Sequence, residues 1–272
     1  MRHITAIFAL SAAALLVGCG GGARPIETST STLTPPATLN VAGNWQFSAL
    51  PATAGKAPLT IAGGIGQSDS AINAAVHVLG SSCFDQLTTV QLTGKATGAS
   101  VSLTSNPVDG QIVTFTGKFT GSAFSGTYAI KGGCADGGQG NLTGLNIPYI
   151  ANAWSGTFTD SAHETFNVTG NITQRAPAGV EASYPISGDA TLDGPCFKAA
   201  TVKSGAFPSG SFILGRSVGL EFDTANGTIT FLGTLSQDYS EISGMYSVSG
   251  GTCEGEGTAV LDVSDGAGSW DY

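Results

Sequence analysis

The chain repeats itself in order over most of its length, and this sets the size of its folding unit. Gly43-Asn44-Trp45 reads onto Gly156-Thr157-Phe158, and Cys83-Phe84 onto Cys196-Phe197, both at an offset of about 113 residues. Val113-Thr114-Phe115 then reads onto Ile229-Thr230-Phe231, Phe124-Ser125-Gly126-Thr127-Tyr128 onto Ile242-Ser243-Gly244-Met245-Tyr246, and Cys134 onto Cys253. Such a period exceeds that of solenoid repeats and suits a whole small domain. Two homologous domains are predicted, 40–148 and 152–263, joined through Pro148, with a tail over 264–272.

Within each unit the apolar period is two, the mark of a half-buried strand. Val113, Phe115, Gly117 and Phe119 share one face, and Phe124, Gly126, Tyr128 and Ile130 another. Turn pairs separate the runs: Asp109-Gly110, Gly121-Ser122 and Asn226-Gly227. Strands are expected near 43–50, 58–67, 71–80, 88–97, 100–106, 112–120, 123–131 and 139–146, with a similar eight in the second unit. Ile72, Ala75, Val76 and Leu79 also fit a helical face, but the second unit carries Tyr184-Pro185-Ile186 there, so the stretch is read as strand. Eight strands on short hairpins make an antiparallel meander. Only 11% of residues are charged, too few to guard open sheet edges, and barrel closure removes edges. An all-β fold of two eight-stranded barrels is expected, with a two-sheet sandwich as the competitor.

Five cysteines divide as one plus four. If each domain is self-contained, the bridges are Cys83–Cys134 and Cys196–Cys253. Cys83 falls at the strand 3–4 turn and Cys134 at the strand 7–8 turn. Odd-numbered turns of a meander share one end, so both can meet at one mouth.

At the N-terminus, Arg2 and His3 precede an uncharged stretch, Ile4–Gly18, that ends in Leu16-Val17-Gly18-Cys19. The stretch is shorter than the roughly 20 apolar residues of a membrane span and suits a secretory signal. It resembles a bacterial lipoprotein signal peptide with its lipobox. The resemblance implies removal of residues 1–18, lipidation of Cys19 and stable anchoring by several acyl chains, in an export compartment where disulfides persist. Residues 19–39, rich in Gly, Ser, Thr and Pro, read as a tether. Gly20, in place of an aspartate, favours the outer membrane under the usual sorting pattern. The whole chain looks like uncharacterised two-domain bacterial lipoproteins, and Gly43-Asn44-Trp45 resembles the opening strand of lipocalin and avidin-like barrels. In such a strand Trp45 and Phe158 would plug a barrel floor.

Chemistry-bearing motifs are sparse. Gly215-Arg216-Ser217-Val218-Gly219 matches a nucleophile elbow, which works only between a strand and a helix; here it lies between two strand runs and reads as a hairpin. His77 and His163 lack counterparts across the repeat and read as surface or packed residues. Asp136 and Glu254 near the cysteines read as solvated carboxylates. Gly138-Gln139-Gly140 and Gly255-Glu256-Gly257 open strands and cradle no phosphate. No catalytic residue, metal ligand or cofactor is assigned. The net charge of −9 argues against nucleic acid. The expected function is a non-enzymatic, membrane-anchored binding module, for an apolar or amphiphilic small molecule held in a barrel or for a partner at the loops of one mouth. The alternative is a structural or protein-interaction protein of the envelope, inhibitor-like in one version, with solid cores. Small residues Ala62, Gly64, Ala74, Gly117 and Gly126 would leave interior room, and Phe115, Phe119, Phe124 and Tyr128 could fill it.

Overall fold

Alternating burial organises the first eight strands: β1 (Gly43–Pro51), β2 (Leu59–Ser68), β3 (Ala71–Leu79), β4 (Val90–Thr97), β5 (Ser100–Ser105), β6 (Ile112–Thr120), β7 (Ala123–Lys131) and β8 (Gln139–Ile147). This computed structural model describes residues 40–162, 164–175, 179–251 and 253–262. The signal segment 1–18, Cys19 and its tether to residue 39, His163 and the tail 264–272 lie outside the described residues. Each strand pairs antiparallel with the next, and β8 returns to β1, closing a barrel. The turns obey local chemistry. Asp109 and Gly110 both take positive φ, 51° and 74°, as a two-residue turn matched to strand twist requires.

The second ring consists of β9 (Asn152–Asp160), β10 (Thr165–Gln174), β11 (Tyr184–Asp193), β12 (Ala199–Val202), β14 (Ser217–Thr224), β15 (Gly227–Leu235), β16 (Glu241–Ser249) and β17 (Gly255–Asp262). It closes through β17–β9 and β10–β11. A further strand, β13 (Phe212–Leu214), was not expected. β12 and β13 both pair with β11 on one side and β14 on the other. They are two halves of one barrel strand, interrupted where residues 203–211 leave the wall and return. Each ring therefore keeps eight wall positions. No helix occurs among the described residues.

The disulfides Cys83–Cys134 and Cys196–Cys253 lie one in each barrel, with Cα atoms 5.4 and 6.1 Å apart. Each ties the third turn of its barrel to the seventh, at one mouth.

Both interiors are packed with aromatic rings. In the first barrel Trp45 and Phe119 meet edge to face at 5.0 Å, Phe119 and Phe124 at 5.0 Å, and Phe47 and Phe124 at 5.6 Å. Gly117 makes room for a ring: a Cβ there would sit 2.6 Å from Cζ of Phe124. Ala62 and Gly64 do not face this interior. Ala62 packs with Phe212 and Leu214 of the second barrel, and a Cβ on Gly64 would meet the Tyr184 hydroxyl at 2.8 Å.

Strand pairing also corrects the repeat at its start. Val41 and Ile150 are buried ahead of β1 and β9, and their N–H groups donate to the side-chain oxygens of Gln67 and Gln174. Four residues on, Trp45 faces Gly63 and Trp154 faces Gly170. Trp154, not Phe158, is thus the counterpart of Trp45, and Phe158 occupies the place of Ala49. The Gly-x-aromatic match that sequence offers is out of step by four residues.

Candidate functional site

Two features of the molecule gather polar side chains: the seam between the barrels and the two disulfide mouths.

At the seam, the outer wall of β1–β3 meets the β13–β14 hairpin and the 203–211 excursion. Leu214 faces Ser217, so Gly215-Arg216 is the two-residue turn that the sequence predicts for the G-x-S-x-G match. Asn44 grips this turn. Its Nδ2 donates to the Gly215 carbonyl at 2.9 Å, and its Oδ1 accepts the Gly215 N–H at 2.8 Å. Gln46 Oε1 accepts the Arg216 N–H at 2.8 Å, and the Arg216 guanidinium donates to the Leu235 carbonyl. Ser217 opens β14, paired with Leu214 and Thr234.

His77 belongs to the same seam. It is 3% exposed and its ring lies 4.9 Å from that of Phe207 in the excursion. Nδ1 donates to the Gln86 carbonyl at 3.0 Å, leaving Nε2 facing the Thr89 hydroxyl at 3.5 Å. Burial lowers its pKa from the ordinary histidine value, against smaller opposing effects of the Gln86 and Thr88 backbone and of Asp85. The packed alternative for His77 is the one the structure displays, and His163 lies outside the described residues.

Each mouth carries an open cleft beside its disulfide. The first has a volume of about 330 Å³ and is lined by Lys56, Leu59, Tyr128, Cys83, Cys134 and Asp136, among others. The second, about 170 Å³, is lined by Asp160, Glu164, Phe166, Cys196, Tyr246 and Glu254, among others. The clefts are equivalent across the repeat, since Tyr128 and Tyr246 stand at matching places in β7 and β16. Both tyrosine side chains are largely buried, 4% and 5% exposed, while their hydroxyls stay open to the clefts and make no hydrogen bond to a protein group among the described residues. Burial raises both pKa values, and Asp160 adds to the effect at Tyr246.

Asp136, read from sequence as solvated, accepts the Gly132 N–H at 2.6 Å and shapes its turn. Glu254 is exposed on the second rim. Sequence reasoning passed over Gln111, which is wholly buried. Its Nε2 donates to the Cys83 carbonyl at 2.8 Å and its Oε1 accepts the Ala135 N–H at 3.0 Å, so one amide holds both cysteine loops. In the second barrel Asn226 donates to the Cys196 carbonyl from the corresponding turn. The only sequence signal was a polar residue directly after the Asp109-Gly110 turn.

No three His, Cys, Asp or Glu side chains converge as metal ligands would among the described residues. No protein family, curated protein or solved structure matches this chain.

Proposed function

We propose that this chain is a lipid-anchored, non-enzymatic binding protein of the bacterial envelope, held through Cys19 at the outer membrane. Its ligands would meet the barrels at the disulfide mouths. One contrast carries the reading: the interiors are packed with aromatic rings, whereas equivalent open clefts lie beside both disulfides, each lined by a tyrosine whose hydroxyl is open to the cleft. Barrels of eight strands either fill with side chains or hold one small ligand, and filled barrels leave the rim for recognition. The anchor rests on the Leu16-Val17-Gly18-Cys19 motif.

A protein-interaction role is the second reading. It is favoured by Leu232 and Met245, cross-strand neighbours on the outer wall of the second barrel that are 59% and 69% exposed.

Native mass spectrometry of a Cys19→Ser form exported to a bacterial envelope tests the proposal. A discrete extra mass, removable by organic extraction and lost on filling a mouth by Tyr128→Trp or Tyr246→Trp, is the expected result. A bare polypeptide mass after incubation with envelope extract would overturn ligand binding and move the search to protein partners.

A further inference from the structure

Resting on the mouth reading above, we infer that the second mouth is a site for an organic ammonium group. Register makes the two mouths a controlled comparison within one chain. Where the first has Leu59, the second has Phe166, and in the core behind them Phe158 takes the place of Ala49. Where the first has Pro51, Ala57 and Ala135, the second has Asp160, Glu164 and Glu254. These differences run toward an aromatic ring or a carboxylate; one runs the other way, where Asp136 of the first mouth gives place to Gly255 in the second.

The rings form a floor. Phe166 stacks on Phe158 at 5.0 Å, meets Tyr246 edge to face at 6.0 Å and tilts against Phe197 at 5.8 Å. Phe166 is half-buried, so part of its ring faces the cleft. Aromatic faces attract alkylammonium groups through the ring quadrupole. The Tyr246 hydroxyl, unpartnered among the described residues and borne on a side chain more than nine-tenths buried, lines the same cleft and offers the polar contact.

The rim supplies the counter-charge. Among the described residues Asp160, Glu164 and Glu254 form no ion pair, and the two salt bridges there, Arg175–Glu181 and Lys203–Glu221, use other carboxylates. Asp160 commits one oxygen to the Ala162 and Glu164 N–H groups, both at 2.8 Å. The three carboxylates do not converge on one point as metal ligands do, which suits a diffuse organic cation. The first mouth is unlike this: Lys56 stands at its rim, and Asp136 is the one carboxylate residue that lines it. A cleft of about 170 Å³ matches a small headgroup rather than a long chain. The cation could come from a free amine or from a lipid headgroup. A headgroup phosphate would face the rim carboxylates, so a free ammonium suits the site better.

The test is a titration of the Cys19→Ser chain with choline, followed by NMR of its aromatic rings. Saturable shifts at Tyr246 and Phe166, with Tyr128 unmoved, are expected. The neutral isostere 3,3-dimethylbutan-1-ol should bind about tenfold more weakly, and Glu164→Gln with Glu254→Gln should weaken choline by a similar factor, both side chains being exposed. A shift by choline but not by phosphatidylcholine vesicles assigns a free amine; equal shifts by both assign the headgroup. No saturable shift with choline overturns the inference, as does equal binding of the isostere. In either case an extra mass in the native spectrum would leave the mouth reading standing.

Discussion

Asn44 and Gly215 exchange two hydrogen bonds, 2.9 and 2.8 Å long, across the seam between the barrels. Both residues are buried, so water cannot replace either bond. A carboxamide carries a donor and an acceptor side by side and so meets the N–H and the C=O of one turn at once. The bonds place a sequence fragment that looks catalytic into a structural joint.

Asn44→Ala should therefore leave a buried N–H and a buried C=O unpaired, a loss of about 2–4 kcal/mol. Urea unfolding followed at the tryptophans should show a lower midpoint and separation into two transitions as the barrels uncouple. A midpoint within error of the parent would mean the turn finds other partners.

Gly215→Ala and Gly98→Ala form a matched pair. Both glycines sit in the same hairpin of their barrels, with φ of 57° and 58°. The left-handed backbone costs each alanine about 1–2 kcal/mol. Only at Gly215 does the new Cβ meet a neighbour across the seam, Ala62 Cβ at 2.8 Å; at Gly98 nothing lies within 4 Å. The Gly215 variant should be the less stable on thermal denaturation. Equal losses would show that the seam opens freely.

His77 makes stability depend on pH. Burial lowers its pKa in the folded chain from the ordinary 6.5, so below that value the unfolded chain binds the extra proton first. The contribution of the neutral ring is complete above about pH 6.5. It declines as the pH falls from there to the folded-state value and then levels off. His77→Gln should remove this part of the slope when stability is measured by denaturant across that range. An unchanged slope would assign it to other groups.

The strand pattern was legible because each wall alternates, as in β5, where Val101, Leu103 and Ser105 are buried and their neighbours exposed. β3 was ambiguous for a physical reason. Ala74, Val76 and Val78 face the barrel core while Ala75 and His77 are buried as well, so the apolar period of two is blurred by two-sided burial. The slip at the repeat start has a different cause. A shift of four residues keeps every side chain on the same face of a strand, so Gly156-Thr157-Phe158 fits the inward pattern as well as the true register does. Only pairing partners, Gly63 and Gly170, distinguish them. The clefts were not legible because their walls come from turns far apart in sequence. The contrast between them appears only after the register is known.

The interrupted strand has a consequence for how many copies such a chain can string together. The joint is heterologous: one barrel offers a socket and the other a plug. The second barrel carries Ala153 and Ser155 where the first has Asn44 and Gln46, so it presents no socket. β4 of the first barrel runs unbroken from Val90 to Thr97, without an excursion like 203–211, so it grows no plug. A head-to-tail contact that could propagate would build a filament. Here the barrels carry unlike halves of the joint, and the one plug is already seated in the one socket.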